Sequence, residues 1–245
     1  MGEKLSELFR LLDWDSKFFG YKVGQIKASH LTPDKLKRLL DYLSNNAFRL
    51  IYWSVDPKDK ISNKAAKINN GFLTDKKITY LKDLSNYLDE DMNRQHLRSY
   101  LHKPLNRHLI SLALQAGLYS RFAYDKNFKH NEFTRLYTKW IERSLNGEIA
   151  LDIIVYIYKN IERGLVTLES KSGYGSIGLL TVDKKYRGYG IGKQLVKAAL
   201  AQFKHLGMKK VKVSTQKDNI IACQFYEKLG FVEESLQNVY HFWLK

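Results

Sequence analysis

The sequence predicts an α/β fold, on three observations. First, the apolar run Ile177 to Val182 has strand character and enters Asp183 to Lys193, which holds Gly188, Gly190 and Gly192. Beyond it Leu195, Val196, Ala199, Leu200, Phe203 and Leu206 recur at helical spacing, so this is a strand–turn–helix unit. Second, Lys209 to Thr215 alternates Val211 and Val213 against Lys210 and Lys212, and a helix follows with Ala222, Phe225, Tyr226 and Leu229 on one face. Third, the order helix, Gly71-Phe72, strand, Tyr80 repeats as helix, Gly230-Phe231, strand, Tyr240, with nearly equal separations.

In chain order, Trp14 to Gly20 places two aromatics before a glycine, which predicts a sharp turn packed on the core, and Val23 to Ile26 reads as a strand. Thr32-Pro33 supplies an N-cap and first-turn proline for a helix burying Leu36, Leu39, Leu40 and Leu43. A strand over Leu50 to Val55, a short helix from Lys60 to Asn69 and a strand ending at Lys82 follow. Residues 83 to 105, with Asp89-Glu90-Asp91 and Pro104, are polar and bridge two halves, predicting domains at 1–105 and 106–245. Ile110 to Leu118 reads as a helix, Tyr119 to Asp125 as a loop, and Phe133 to Ile141 as a helix ended by Asn146-Gly147. Strands at Asp152 to Lys159 and Leu165 to Glu169 flank a hairpin near Asn160, then come Tyr174 to Val182 and an aromatic last strand, Asn238 to Leu244.

A 44% hydrophobic fraction over 245 residues is ample for a core. No apolar run reaches membrane-spanning length, and Met1-Gly2-Glu3-Lys4 leads to no apolar signal core, so a cytoplasmic protein without membrane insertion is expected. The single Cys223 has no disulfide or zinc partner, so no metal is expected. Forty-one basic against 25 acidic residues give +16, which suits either a nucleic-acid binder or a protein with polyanionic nucleotide ligands. The lysines are scattered without an arginine-rich tract, which argues against nucleic acid as the partner.

The glycine turn carries the chemistry. A helix start leaves N–H groups without partners and carries partial positive charge, and glycines let an anion approach them. Flanked by Arg187 and Lys193, the expected guest is a phosphate or pyrophosphate. Arg187-x-x-Gly190-x-Gly192, Asn219, and Phe225-Tyr226 before Gly230-Phe231 together resemble the GNAT superfamily of N-acetyltransferases across the C-terminal half. That resemblance implies a mixed, mostly antiparallel twisted sheet flanked by helices, with acetyl-CoA as co-substrate. It implies that Arg187, Gly188, Tyr189, Gly190, Ile191, Gly192 and Lys193 hold the cofactor pyrophosphate. It further implies that the strand edge Leu180, Thr181 and Val182 pairs with the pantetheine arm, that Asn219 touches that arm, and that Tyr226 protonates the leaving thiolate. No residue is singled out as general base; Glu132, Asp183 and His241 are nameable.

Residues 1 to about 85 are expected to be a partial, degenerate copy of the same fold, whose helix opens with His30-Leu31-Thr32-Pro33 in place of glycines and so binds no cofactor. Its expected task is to cover the second half and shape one wall of the substrate cleft. Trp14 to Gly20, Tyr119-Ser120-Arg121-Phe122 with Asp125, and Tyr240-His241-x-Trp243-Leu244 resemble the WecD-like subgroup, which acetylates dTDP-fucosamine (dTDP-4-amino-4,6-dideoxygalactose) for surface polysaccharide. Arg121, Tyr124 and His241 are the candidate contacts to such a nucleotide-sugar substrate. The resemblance leaves room for a homodimer. Acetylation of a protein N-terminus or lysine, and a basic nucleic-acid-binding module, are the rival readings.

Overall fold

The computed structural model describes residues 5–88, 94–129 and 131–245, so Met1 to Lys4 and the acidic Asp89-Glu90-Asp91 lie outside the described residues. The elements run β1 Phe9–Leu11, α1 Asp13–Phe19, β2 Lys22–Ile26, α2 Pro33–Asn45, β3 Phe48–Val55, α3 Lys60–Ile68, β4 Phe72–Asp83 and β5 Leu97–Ser99. They continue α4 Arg107–Ala116, α5 Arg121–Tyr124, α6 Glu132–Leu145, β6 Asp152–Tyr158, β7 Ile161–Lys171, β8 Tyr174–Val182, α7 Ile191–His205, β9 Lys210–Gln216, α8 Ile220–Lys228 and β10 Val232–Trp243. Two compact units result, Met1–Ile78 with Ser235–Lys245, and Thr79–Glu234. The division expected after residue 105 therefore falls inside the second unit. The chain changes unit within β4 and again within β10, in mid-strand rather than in the polar linker.

In the first unit, β2 runs parallel to β3 and β10 antiparallel to it. Leu50, Ile51, Tyr52 and Trp53 of β3 are buried, as are Leu36, Leu39, Leu40 and Leu43 of α2. Each fully buried aliphatic side chain contributes about 1.5–3 kcal/mol, so this stripe fixes α2 on the sheet. Thr32 caps α2 by accepting from Lys35 N, as its position before Pro33 predicts. Trp14 to Phe19 departs from expectation by forming most of a two-turn helix, not a turn. Ser16 Oγ bonds back to Leu12 O at 2.7 Å, and Gly20, at φ +80°, ends the helix with its N–H on Ser16 O.

The second unit orders its strands β4-β9-β8-β7-β6-β5; β8 and β9 are parallel, while β5–β6, β6–β7 and β7–β8 are antiparallel. Helix α7 packs on β6, β7 and β8 through Leu195, Val196, Ala199 and Phe203. Glycine keeps this fit close at two strand positions. A Cβ on Gly164 would lie 3.0 Å from Leu195, and one on Gly175 would lie 2.6 Å from the Phe203 ring. The loop expected over Tyr119 to Asp125 holds the short helix α5, because the N–H groups of Ala123 and Tyr124 both reach Ser120 O.

The internal repeat is sharper in structure than in sequence. Helices α3 and α8 are each nine residues long and start 160 positions apart (220 − 60). Asp59 caps α3 by accepting from Ser62 N, and Asn219 caps α8 by accepting from Ala222 N. Asn70 N donates to Lys67 O and Gly230 N to Glu227 O, both with left-handed backbones at φ 58° and 76°. β4 and β10 span twelve residues each, again 160 apart. The structural partner of Gly230 is thus Asn70 and not Gly71, one residue from the alignment that the Gly-Phe pairs suggest. Asparagine is the residue besides glycine that most readily takes this conformation. Tyr80 donates to Glu227 at 2.8 Å within the second unit, and Tyr240 donates to Asn63 at 2.9 Å within the first.

Candidate functional site

The site begins with an irregularity in β8. Its register on β7 jumps from Ile177 opposite Leu168 to Leu180 opposite Val166, so Gly178 and Leu179 share the single residue Thr167 across the ladder. This is a β-bulge, which bends the strand and raises its twist. Thr167, fully buried, takes the displaced Leu179 N–H on its hydroxyl at 2.7 Å. Residue 178 must be glycine because a Cβ there would collide with the Glu169 carboxyl and the Thr167 hydroxyl. The parallel ladder with β9 covers only Gly175–Ile177 and Val211–Val213, so beyond the bulge β8 and β9 diverge. Leu180, Thr181 and Val182 line the gap thus opened.

At the end of β8 the chain turns through Lys184–Tyr186, a single 3-10 turn capped by Asp183, and reaches α7 through Gly188 and Gly190 at φ 88° and 76°. These left-handed conformations favour glycine, and a Cβ at either would project into open space rather than into protein. The first-turn N–H groups of α7 therefore face an unobstructed approach, the arrangement that receives phosphate. Gly192 has a different reason: its missing side chain lets Phe225 of α8 come to within 3.3 Å of where a Cβ would be.

On the other wall, α8 supplies Asn219, Ile221, Ala222, Phe225 and Tyr226. Tyr226 is 6% exposed, and burial, with a smaller contribution from Cys223, raises its pKa well above the usual phenol value. Its hydroxyl is therefore held as a proton donor at all physiological pH. The cleft between these walls encloses about 400 Å³, and the charged side chains lining it are Arg187 and Lys193, both cationic.

Of the residues expected to hold the cofactor, all but Tyr189 line this one cleft; Tyr189 is 76% exposed and is not among the lining residues. Tyr226 lines it too. Arg121 and Tyr124 do not: the Arg121 guanidinium lies over the Phe122 ring, and Tyr124 is exposed. His241 belongs to the first unit, where it is fully buried with its ring 4.7 Å from that of Tyr52. Burial likewise removes Glu132 from the nameable bases in the lining, and Asp183 is engaged as a cap. Sequence reasoning missed Gln115, Leu118, Tyr119 and Tyr186, which also line the cleft. No sequence signal marks Leu118 and Tyr119, whose exposure of 58% and 52% just past α4 appears only in the structure. Among the described residues no helix is long and apolar enough to cross a membrane, and no group of metal-binding side chains occurs.

Comparison with known proteins agrees with this geometry. The family model for the acetyltransferase (GNAT) family matches residues 120–231. N-alpha-acetyltransferase 30 of Schizosaccharomyces pombe is 42% identical over 57 residues, 23% of this chain and 38% of that protein. Spore coat polysaccharide biosynthesis protein SpsD of Bacillus subtilis is 24% identical over 135 residues, 55% of this chain and 46% of that protein. This chain thus spans less than half the length of either relative. A tandem GNAT protein from the clavulanic acid biosynthesis pathway superposes with a TM-score of 0.59 at 12% identity, covering 90% of this chain and 75% of that one. A bulged strand diverging from its parallel neighbour, a glycine-built helix start and a buried tyrosine on the facing helix thus coincide with a matched sequence pattern: the chain has the GNAT fold, and its residues 120–231 are similar to the acetyltransferase (GNAT) family.

Proposed function

We propose that the chain transfers the acetyl group of acetyl-CoA to the 4-amino group of a nucleotide-linked amino sugar, a dTDP-4-amino-4,6-dideoxyhexose, for surface polysaccharide synthesis. The reaction class rests on one observation: the free edge of β8, the glycine turn and Tyr226 line the same cleft. Arg187, Lys193 and the first-turn amides of α7 bind the diphosphate, and Leu180 to Val182 align the pantetheine arm along the strand edge. When bound, the cofactor supplies an activated thioester. Tyr226 then gives a proton to the sulfur as the C–S bond breaks, while the proton lost by the attacking amine passes to solvent, from which the phenolate is reprotonated. The elevated pKa of the phenol keeps it protonated until that moment.

The sugar substrate is supported by the SpsD likeness, which reaches beyond half of this chain. We also propose that residues 1 to about 85 are a partial, degenerate copy of the domain that binds no cofactor. The test is thiol release from acetyl-CoA with a panel of free and dTDP-linked amino sugars. Release with a dTDP-linked 4-amino sugar is expected, and its absence with every such sugar removes the substrate.

A second reading, acetylation of a protein N-terminus, is favoured by the higher identity to N-alpha-acetyltransferase 30, although over only 57 residues. Short peptides belong in the same panel, and release with them alone selects that reading.

A further inference from the structure

We infer that Arg163, which lies outside the cleft, is the positioning residue that holds the pyrophosphate-binding turn in its binding shape; this rests on the reading of that turn given above. Arg163 stands on β7 and is largely buried, with a side-chain exposure of 16%. Its guanidinium makes two contacts with the turn. Nη1 lies 3.3 Å from Asp183 Oδ2, and the plane of the group covers the Tyr186 ring at 4.3 Å. The backbone joins in, with Asp183 N donating to Arg163 O at 2.8 Å.

Asp183 and Tyr186 bracket the turn. The other carboxylate oxygen of Asp183 accepts from Lys185 N at 3.0 Å, and Tyr186 N donates to Asp183 O at 2.7 Å. Tyr186 lines the cleft, and Gly188 and Gly190 come next. Those two glycines leave the binding segment with the largest conformational freedom a chain can have, so without an anchor each binding event would have to order it. One planar cation that pairs with the first residue of the turn and stacks on its last supplies the anchor. Lysine would keep the ion pair and lose the stack. The partner charge is Asp183, so the pair presents little net charge to a ligand. Gln115 on α4 adds a weaker tether, its Oε1 accepting from Lys184 N at 3.0 Å.

The experiment measures Kd for coenzyme A by calorimetry and for pantetheine, which lacks the diphosphate, by titration in proton NMR, for the wild type, Arg163→Gln and Arg163→Lys. The inference expects Arg163→Gln to weaken coenzyme A by about tenfold or more and pantetheine by less than about twofold, with Arg163→Lys between the wild type and Arg163→Gln. Equal weakening of both ligands would mean a general structural loss and would overturn it. Full affinity in Arg163→Lys would overturn it too, since charge alone would then account for the effect. Should Arg163→Gln not fold, Arg163→Lys decides by the same ratio. A wild type that binds coenzyme A no better than pantetheine would instead sink the reading of the turn itself.

Discussion

Two stretches of this chain, 160 residues apart, fold alike and differ at every point that the chemistry needs. In the second unit β8 continues for five residues beyond its ladder with β9, through a bulge, and its edge is free. In the first unit β2 stays paired with β3 to its last residue, Ile26 opposite Trp53, so no edge is left open. Where α7 starts at Gly190 with an open approach, α2 starts at Thr32, whose side chain takes up Lys35 N. Where α8 carries Tyr226, the same place in α3 is Ala66 (226 − 160), fully buried. The comparison teaches that the fold needs only the helices, their caps and the strands. On the proposed reading, binding and proton transfer are added by a bulge, two glycines and one phenol.

The comparison is most easily broken at Tyr226. Tyr226→Phe should lower kcat about a hundredfold or more while leaving coenzyme A affinity near that of the wild type, because a general acid contributes about 10²–10⁴ in rate. Steady-state kinetics with any accepted amine check this, and undiminished turnover would remove the acid from the account. Next comes the helix start. Gly190→Val imposes a β-branched side chain on a left-handed backbone and should weaken coenzyme A about tenfold to a hundredfold by calorimetry, from strain of about 1–3 kcal/mol.

A finer contrast lies between the caps. Asp59 and Asn219 fill one structural position, a carboxylate in the first unit and a neutral amide lining the cleft in the second. Asn219→Asp should keep the melting temperature, since aspartate caps as well as asparagine, yet weaken coenzyme A about fivefold through repulsion across a screened few ångströms. Equal affinity would show that residue 219 does not face the ligand.

The smallest effect concerns Asp59 itself. Burial works to raise its pKa, but bonds from the Ser62 hydroxyl and N–H and from His30 outweigh it and hold the carboxyl at about 2. A depressed folded pKa means stability that is complete above the ordinary carboxylate value and is lost as pH falls through about 2. Asp59→Ala should therefore cost about 1 kcal/mol in urea unfolding at neutral pH, with the difference shrinking toward pH 2.

Much of this was legible in the sequence, for identifiable reasons. The alternation Val211/Val213 and the helical stripe from Leu195 to Phe203 follow from burial on one face, which periodicity reports directly. The glycines at 188 and 190 could be read as a helix entry because left-handed backbone is written in residue type. Other features had no local signature. The need for glycine at 178 arises because Glu169 and Thr167, on the neighbouring strand, fill the space of a side chain. The repeat was visible, but the Gly-Phe pairs misplace it by one residue, since the equivalent turn uses Asn70. That Tyr80 belongs to one unit and Tyr240 to the other depends on where β4 and β10 cross between units, which no hydropathy pattern encodes. Gln115 and Tyr186 reach the cleft only through tertiary placement.

The claim that only one of the two like halves binds the acyl carrier is tested most directly by calorimetric titration of the whole chain with coenzyme A, beside Gly190→Val. A single site per chain, weakened in the variant, is the predicted result. Two sites, no binding, or one site indifferent to residue 190 would contradict it.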